Sequence, residues 1–145
     1  MFQHLLIATD GSHLADDAGR KAVGLAKALG ARVTAMTVSL PYRVFTAAYV
    51  MVSDTEDVYN EECRNGASRY LAVIKEAAAS AGVAYDELHL FHDQSYAAII
   101  EAAEKRGCDL ICMASHGRTG LTALVVGSVT MKVLTHSRIP VLVWR

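Results

Sequence analysis

Five short runs of this chain are mostly apolar, with apolar residues on both alternating sets of positions. They are Leu5-Leu6-Ile7-Ala8, Val33 to Val38, Leu88 to Phe91, Leu110 to Met113 and Val141 to Trp144. A strand with one wet face alternates apolar and polar residues, whereas a run apolar on both faces must be covered on both sides. Longer segments with helical spacing separate the runs. The first is expected to start after Ser12, a good N-cap with Asp16 and Asp17 near its positive end. It turns Leu14, Ala18, Leu25 and Leu29 inward and stops at Gly30. The second runs from about Asp57 to Ala81, with Ala67, Leu71, Ile74 and Ala78 on one face and Gly82 behind it. The third begins near Ser95, turns Ile99, Ile100 and Ala103 inward and stops at Gly107. The fourth begins near Ser128, has Val129, Val133 and Leu134 as apolar positions and ends before Pro140. The resulting order is β-α-β-α-β-α-β-α-β. Right-handed crossovers make this an α/β fold, a doubly wound open parallel sheet of five strands with helices on both faces.

The 145 residues fit one domain spanning the chain, and 52% hydrophobic against 20% charged residues is enough apolar material to fold without staples. The formal net charge is −1 and neither half is strongly basic, which argues against nucleic acid as a partner. The opening stretch Met1 to Asp10 has no basic leader and only a short apolar run. No later stretch is long and apolar enough to span a bilayer, so a cytoplasmic protein with no membrane partner is expected. Cys63, Cys108 and Cys112 lack CxxC spacing and are expected to be buried, inert thiols. His89 and His92 are three apart along a strand and face opposite sides, so no metal ion is expected there.

In doubly wound sheets ligands bind at the carboxyl ends of the strands, where the winding reverses. That rule points to Thr9-Asp10-Gly11-Ser12 after the first strand and to Ala114-Ser115-His116-Gly117 after the fourth. The second of these opens a stretch from Ala114 to Ser128 that starts with small residues and returns to Gly127-Ser128 at a helix start. Glycines there permit φ > 0 or close backbone approach to a ligand. A helix start offers unpaired N–H groups and partial positive charge, both suited to phosphate. Ser128 is expected to cap its helix and offer its hydroxyl, while Arg118 and His116 add side chains able to meet an anion. The Walker form GxxxxGK[ST] and the GxGxxG of dinucleotide folds are both absent. Ser39 to Asp54, with Tyr42 and Tyr49, is the least regular segment and reads as a lid over this site.

On these residues the sequence resembles the universal stress protein family along nearly its whole length. The family motif, Gly, two residues, Gly, nine residues, Gly and then Ser or Thr, reads here as Ala114-x2-Gly117-x9-Gly127-Ser128. Ile7-Ala8-Thr9-Asp10-Gly11-Ser12 and Ile139-Pro140-Val141-Leu142-Val143 resemble the family's first strand and its tail. The resemblance implies strand order 3-2-1-4-5 and, in the nucleotide-binding branch, ATP or another adenine nucleotide held between the first and fourth strands. Ala8, Thr9 and Asp10 would then meet the adenosine, and Val38 would line the adenine pocket. Gly117, Arg118, Gly127, Ser128 and Val129 would surround ribose and phosphates, with Met113, Ala114, His116 and Thr130 completing the set. Mg²⁺ would travel with the phosphates, because no His/Asp/Glu cluster suggests a preformed metal site. Ala114 departs from the motif: if its position needs φ > 0, the strain is roughly 1–2 kcal/mol.

The reading favoured by all this is an ATP-binding regulator or sensor of the stress response. It would be a homodimer through the last strand, Val141, Leu142, Val143 and Trp144, since a bare apolar edge needs pairing. No residue is clearly placed as a general base, so any ATP hydrolysis should be slow, and no catalytic residue is assigned. Two other classes compete. One is a dimeric interaction module with an empty site. The other is a serine hydrolase using Ser115, although the elbow GxSxG would need glycine where Met113 stands.

Overall fold

The computed structural model describes residues 1–42, 55–117 and 125–145. The five apolar runs form β1 (His4–Ala8), β2 (Arg32–Ser39), β3 (Tyr85–Phe91), β4 (Leu110–Ala114) and β5 (Val141–Trp144). All neighbouring pairs are parallel and the order is β3-β2-β1-β4-β5, the doubly wound arrangement expected. β3 starts at Tyr85, earlier than its apolar run. It is an edge strand, so Asp86 and Glu87 can pair with Thr34 and Ala35 while keeping their side chains exposed. Asp86 forms an ion pair with Arg106 there.

Helices α1 (His13–Leu29), α2 (Glu56–Ala81), α3 (Ser95–Lys105) and α4 (Ser128–His136) cover the sheet. Alternation along each strand sends side chains to two cores. Leu5, Ile7, Val33, Ala35 and Cys112 meet α1 and α2. Leu6, Met36, Ile111 and Met113 meet Ile99 of α3 and Val133 of α4. Because β1 is followed by β2 on one side and flanked by β4 on the other, the winding reverses between β1 and β4.

The caps follow the sequence closely. Ser12 is the N-cap of α1, its hydroxyl accepting from the Ala15 N–H at 3.2 Å. Gly30 and Gly82 end α1 and α2 in the left-handed region, at φ 66 and 70. The buried face of α2 is Gly66, Ala67, Leu71, Ile74 and Ala78, as its spacing requires. The face of α1 differs from expectation. Ala15, Ala18, Gly19, Ala22, Val23 and Ala26 are buried, whereas Leu14 and Leu25 are half-buried and Leu29 is exposed. Close packing selects the small residues: a Cβ on Gly19 would stand 2.9 Å from Cγ1 of Ile74. In α3, Ile99 and Ala103 are buried as expected, with Ala98 and Ala102, while Ile100 is half-buried. In α4 the inward residues are Thr130 and Val133, and Val129 and Leu134 are exposed at 37% and 43%.

Cys108 and Cys112 are buried, and burial pushes their thiols up to about 11 and about 12. Cys63 departs from the expectation; it is half-buried on α2, a mostly exposed helix. His89 and His92 serve separate local roles. The His89 ring meets the Ser39 hydroxyl at 2.8 Å, and His92 Nδ1 accepts the Gln94 N–H at 2.9 Å. Among the described residues no helix is long and apolar enough to cross a membrane.

His4 starts β1 in a buried position, its Nε2 paired with the Thr34 hydroxyl at 2.8 Å. Burial, then the Arg32 guanidinium, lowers its pKa, against the raising effects of the Arg106 carbonyl and Asp109. Burial and Arg64 also lower that of His89. A folded-state pKa below the unfolded value means that the unfolded chain binds the proton first. Stability should therefore fall as the pH drops through about 6.5, the unfolded histidine value. Thermal melts across that range should show this fall, and His4→Gln, which keeps an amide beside Thr34, should flatten it. An unchanged slope in the variant would contradict the assignment.

Candidate functional site

The carboxyl ends of β1 and β4 flank a cavity of about 260 Å³. Backbone hydrogen bonds carry both strands past their ends: Thr9 N–H to the Met36 carbonyl at 2.9 Å, and Ser115 N–H to the Trp144 carbonyl at 2.7 Å. The two loops therefore leave the sheet from fixed points. The β1 loop is then tightened by its own side chains. The Thr9 hydroxyl accepts from the Gly11 N–H at 3.1 Å, and Asp10 Oδ1 accepts from the Ser12 N–H at 3.0 Å. This is the local turn chemistry that Asx and Ser/Thr side chains provide. Gly11 turns at φ 75 beneath the Tyr70 ring, which occupies the place a Cβ would need.

The two loops close on each other through glycine. A Cβ on Gly117 would collide with Asp10 Oδ2, so the carboxylate sits directly against the Gly117 backbone. A Cβ on Gly127 would lie 3.2 Å from the His116 Cα and 3.4 Å from the Ser115 carbonyl oxygen. Gly117 has no positive φ and Gly127 is at φ −60, so both glycines provide close approach, not left-handed backbone. What they approach first is the protein's own chain. Ala114 also has no positive φ, so the alanine at the first motif position carries no backbone strain. Its methyl packs with Ala15 and Ala18 of α1 and with Trp144.

The start of α4 differs from expectation in one respect. Gly127, not Ser128, is the N-cap, and among the described residues no side chain caps the helix. The Gly127 N–H donates to the Ser115 carbonyl at 2.6 Å, and the first helical bond runs from Met131 N–H to the Gly127 carbonyl at 2.9 Å. Ser128, Val129 and Thr130 thus present N–H groups without a backbone acceptor among the described residues. The Thr130 side chain is not available to a ligand: it is buried and donates to the Ala114 carbonyl at 2.9 Å.

Ala8, Thr9, Asp10 and Val38 line the cavity from β1 and β2, and Met113, Ala114, His116 and Gly117 from β4 and its loop. Gly127, Ser128, Val129 and Thr130 close it from α4. Arg118, the remaining expected site residue, lies outside the described residues, as do Tyr49 and most of the proposed lid. Tyr42 is described and packs on Tyr59, with ring centroids 5.6 Å apart. Sequence reading misses Ala15, Met36, Thr37, Ser95 and Ile99, which also line the cavity. Met36 and Thr37 adjoin Val38 at the end of β2, and that adjacency is the signal that could have found them. Ser95 and Ile99 come from α3, whose approach to the strand ends depends on helix packing and has no local signal. His116 is half-buried, with Nδ1 3.1 Å from the Ser115 hydroxyl. Ser115 itself is only 4% exposed, which removes the access a serine nucleophile requires. Among the described residues no group of three or more His, Cys, Asp or Glu is placed to hold a metal ion.

The sequence model of the universal stress protein family matches residues 1–145. The chain belongs to this family. Universal stress protein YxiE of Bacillus subtilis is 31% identical, with both chains covered in full. A universal stress protein of Methanocaldococcus jannaschii is 30% identical over 99% of this chain and 82% of its own. Among solved structures, hypothetical protein MJ0577 superposes with a TM-score of 0.82 at 25% identity, covering 99% of this chain and 95% of its own. A universal stress protein in complex with cAMP superposes with a TM-score of 0.72 at 19% identity, covering 99% and 97%. The five-stranded order β3-β2-β1-β4-β5 is that of this family's fold.

The Asp10–Gly117 contact yields a prediction by contrast with Gly24, an exposed α1 glycine where a Cβ would meet nothing within 4 Å. Gly117→Ala should displace the Asp10 carboxylate from the Ser12 N–H and lower stability by about 1 kcal/mol. Gly24→Ala should raise it by about as much, as alanine does in a helix interior. Urea denaturation of the two variants reads both signs, and equal effects would contradict the contact.

Proposed function

We propose that this cavity binds an adenine nucleotide, ATP foremost, and that the protein is a nucleotide-responsive regulator of the stress response. The observation that carries the reading is the uncapped start of α4. Three backbone N–H groups without a backbone acceptor among the described residues border a cavity at the sheet's switch point. Such an end attracts phosphate by hydrogen bonding and by the helix dipole together. A space of about 260 Å³ takes a nucleoside, with the phosphate chain laid along Gly117, Gly127 and Ser128. Thr9 and Asp10 stand at the sugar and Val38 at the base, on an apolar floor of Met36, Ile99 and Met113. Arg118 adds a cation to the phosphates, and Mg²⁺ arrives with them. Bound adenine nucleotides in two other members of the fold support the choice of base: one was solved with cAMP and one, from Archaeoglobus fulgidus, with dAMP. The working location is the cytoplasm, where ATP is plentiful.

Mass spectrometry of ligand released from freshly purified, denatured protein should find adenine nucleotide at near-stoichiometric amount. Protein that carries none, and binds none when ATP is added, would refute the reading.

The same proposal includes a homodimer. β5 pairs only with β4 among the described residues, and its four residues are each half-buried. On α4, the helix that precedes β5, and just before that helix, Val125, Val129, Met131 and Leu134 are exposed at 66%, 37%, 50% and 43%. An open strand edge and exposed apolar side chains both call for a partner, and an antiparallel copy of β5 satisfies the edge. Light scattering at micromolar concentration should give twice the chain mass; a monomer would contradict the pairing.

A further inference from the structure

The Ser115–His116 pair has a consequence for which ring nitrogen faces a ligand. Ser115 is 4% exposed, and its hydroxyl has one hydrogen-bond partner among the described residues, His116 Nδ1 at 3.1 Å. A hydroxyl carries one proton to donate, and a buried polar group left without a partner is costly. Among the described residues Nδ1 is the one group placed to receive that proton, and it receives it only when Nδ1 carries a lone pair. A neutral imidazole has a single N–H, so the proton then sits on Nε2, on the far side of the ring. His116 is half-buried and is one of the residues lining the cavity, and its Nε2 has no hydrogen-bond partner among the described residues.

We propose that Ser115 is a positioning residue that fixes His116 as its Nε2–H tautomer, and that Nε2–H donates to an anionic oxygen of the bound phosphate chain. This rests on the nucleotide reading above and sharpens it. The backbone N–H groups of α4 approach the phosphates from one side, and the imidazole adds a directed side-chain donor from the β4 loop. The His116 backbone is held against Gly127, where a Cβ would stand only 3.2 and 3.5 Å from the His116 Cα and Cβ. The Gly127 N–H bond to the Ser115 carbonyl, at 2.6 Å, ties the same loop to the start of α4. Donor ring and helix end therefore keep a fixed spacing. The arrangement selects for charge: an adenosine, which has no phosphate, gains nothing from Nε2–H.

Two measurements test this. Nitrogen-15 NMR of the His116 ring at neutral pH, in protein without added nucleotide, should show the proton on Nε2, and Ser115→Ala should turn this into a mixture of tautomers. A proton on Nδ1, or a ring indifferent to Ser115→Ala, would overturn the positioning role whether or not nucleotide binds. The second measurement is calorimetric titration of two isosteric variants with ATP and with adenosine. The Gln amide places its N–H₂ where Nε2 stands, and the Asn amide places it where Nδ1 stands. His116→Asn should lose about tenfold in ATP affinity, the worth of one hydrogen bond to a charged group, while His116→Gln largely keeps it. Adenosine affinity should be the same in both. Equal ATP affinities for the two variants would overturn the donor role. Failure of the unaltered protein to bind ATP or adenosine would instead overturn the nucleotide reading, and the donor's ligand with it.

Discussion

Two hydrogen bonds fix the start of α4 against the end of β4, and the site depends on them. The Gly127 N–H reaches the Ser115 carbonyl at 2.6 Å, and the buried Thr130 hydroxyl reaches the Ala114 carbonyl at 2.9 Å. Together they satisfy two strand-end carbonyls that would otherwise be left buried, and they use one of the helix's orphan N–H groups in doing so. The N–H groups of Ser128, Val129 and Thr130 have no backbone acceptor among the described residues, and these three residues line the cavity. Had a side chain capped this helix, as Ser12 caps α1, the donors would already be partly used. An uncapped end is a cost to folding that makes sense where a ligand supplies the missing acceptors.

The remaining architecture holds that end in place. Burial of alternate strand residues in two cores places β1 and β4 side by side with their carboxyl ends level, at the reversal of the winding. Small residues on α1 let it lie close to the sheet and to Ile74 of α2, and the Ala114 methyl fills the space between α1 and Trp144. The family's glycine at that motif position is therefore replaced here without strain, because the backbone stays out of the left-handed region.

Much of this is legible in the chain. Runs apolar on both faces mark the strands, glycines after helical spacing mark the ends of α1 and α2, and Gly117 and Gly127 mark two points on the cavity wall. Three things are not legible, each for a physical reason. Side-chain size alone would turn the large residues inward, but on α1 the packing distance favours alanine, and on α4 Val129 and Leu134 are exposed. Which residue caps α4 depends on the Gly127–Ser115 bond, a contact across the loop that no local pattern encodes. Ser95 and Ile99 reach the cavity only because α3 packs with α4 over the same core. The glycines are places of close approach, as their spacing implies, and what they approach is the protein's own Asp10 and His116.

The claim that an unpaired helix end receives phosphate is tested most directly at the three amides themselves. In a proton–nitrogen NMR titration with ATP, the Ser128, Val129 and Thr130 amide signals should shift and saturate together, and adenosine should move them far less. An ATP titration that shifts resonances elsewhere in the chain but leaves these three in place would contradict the account.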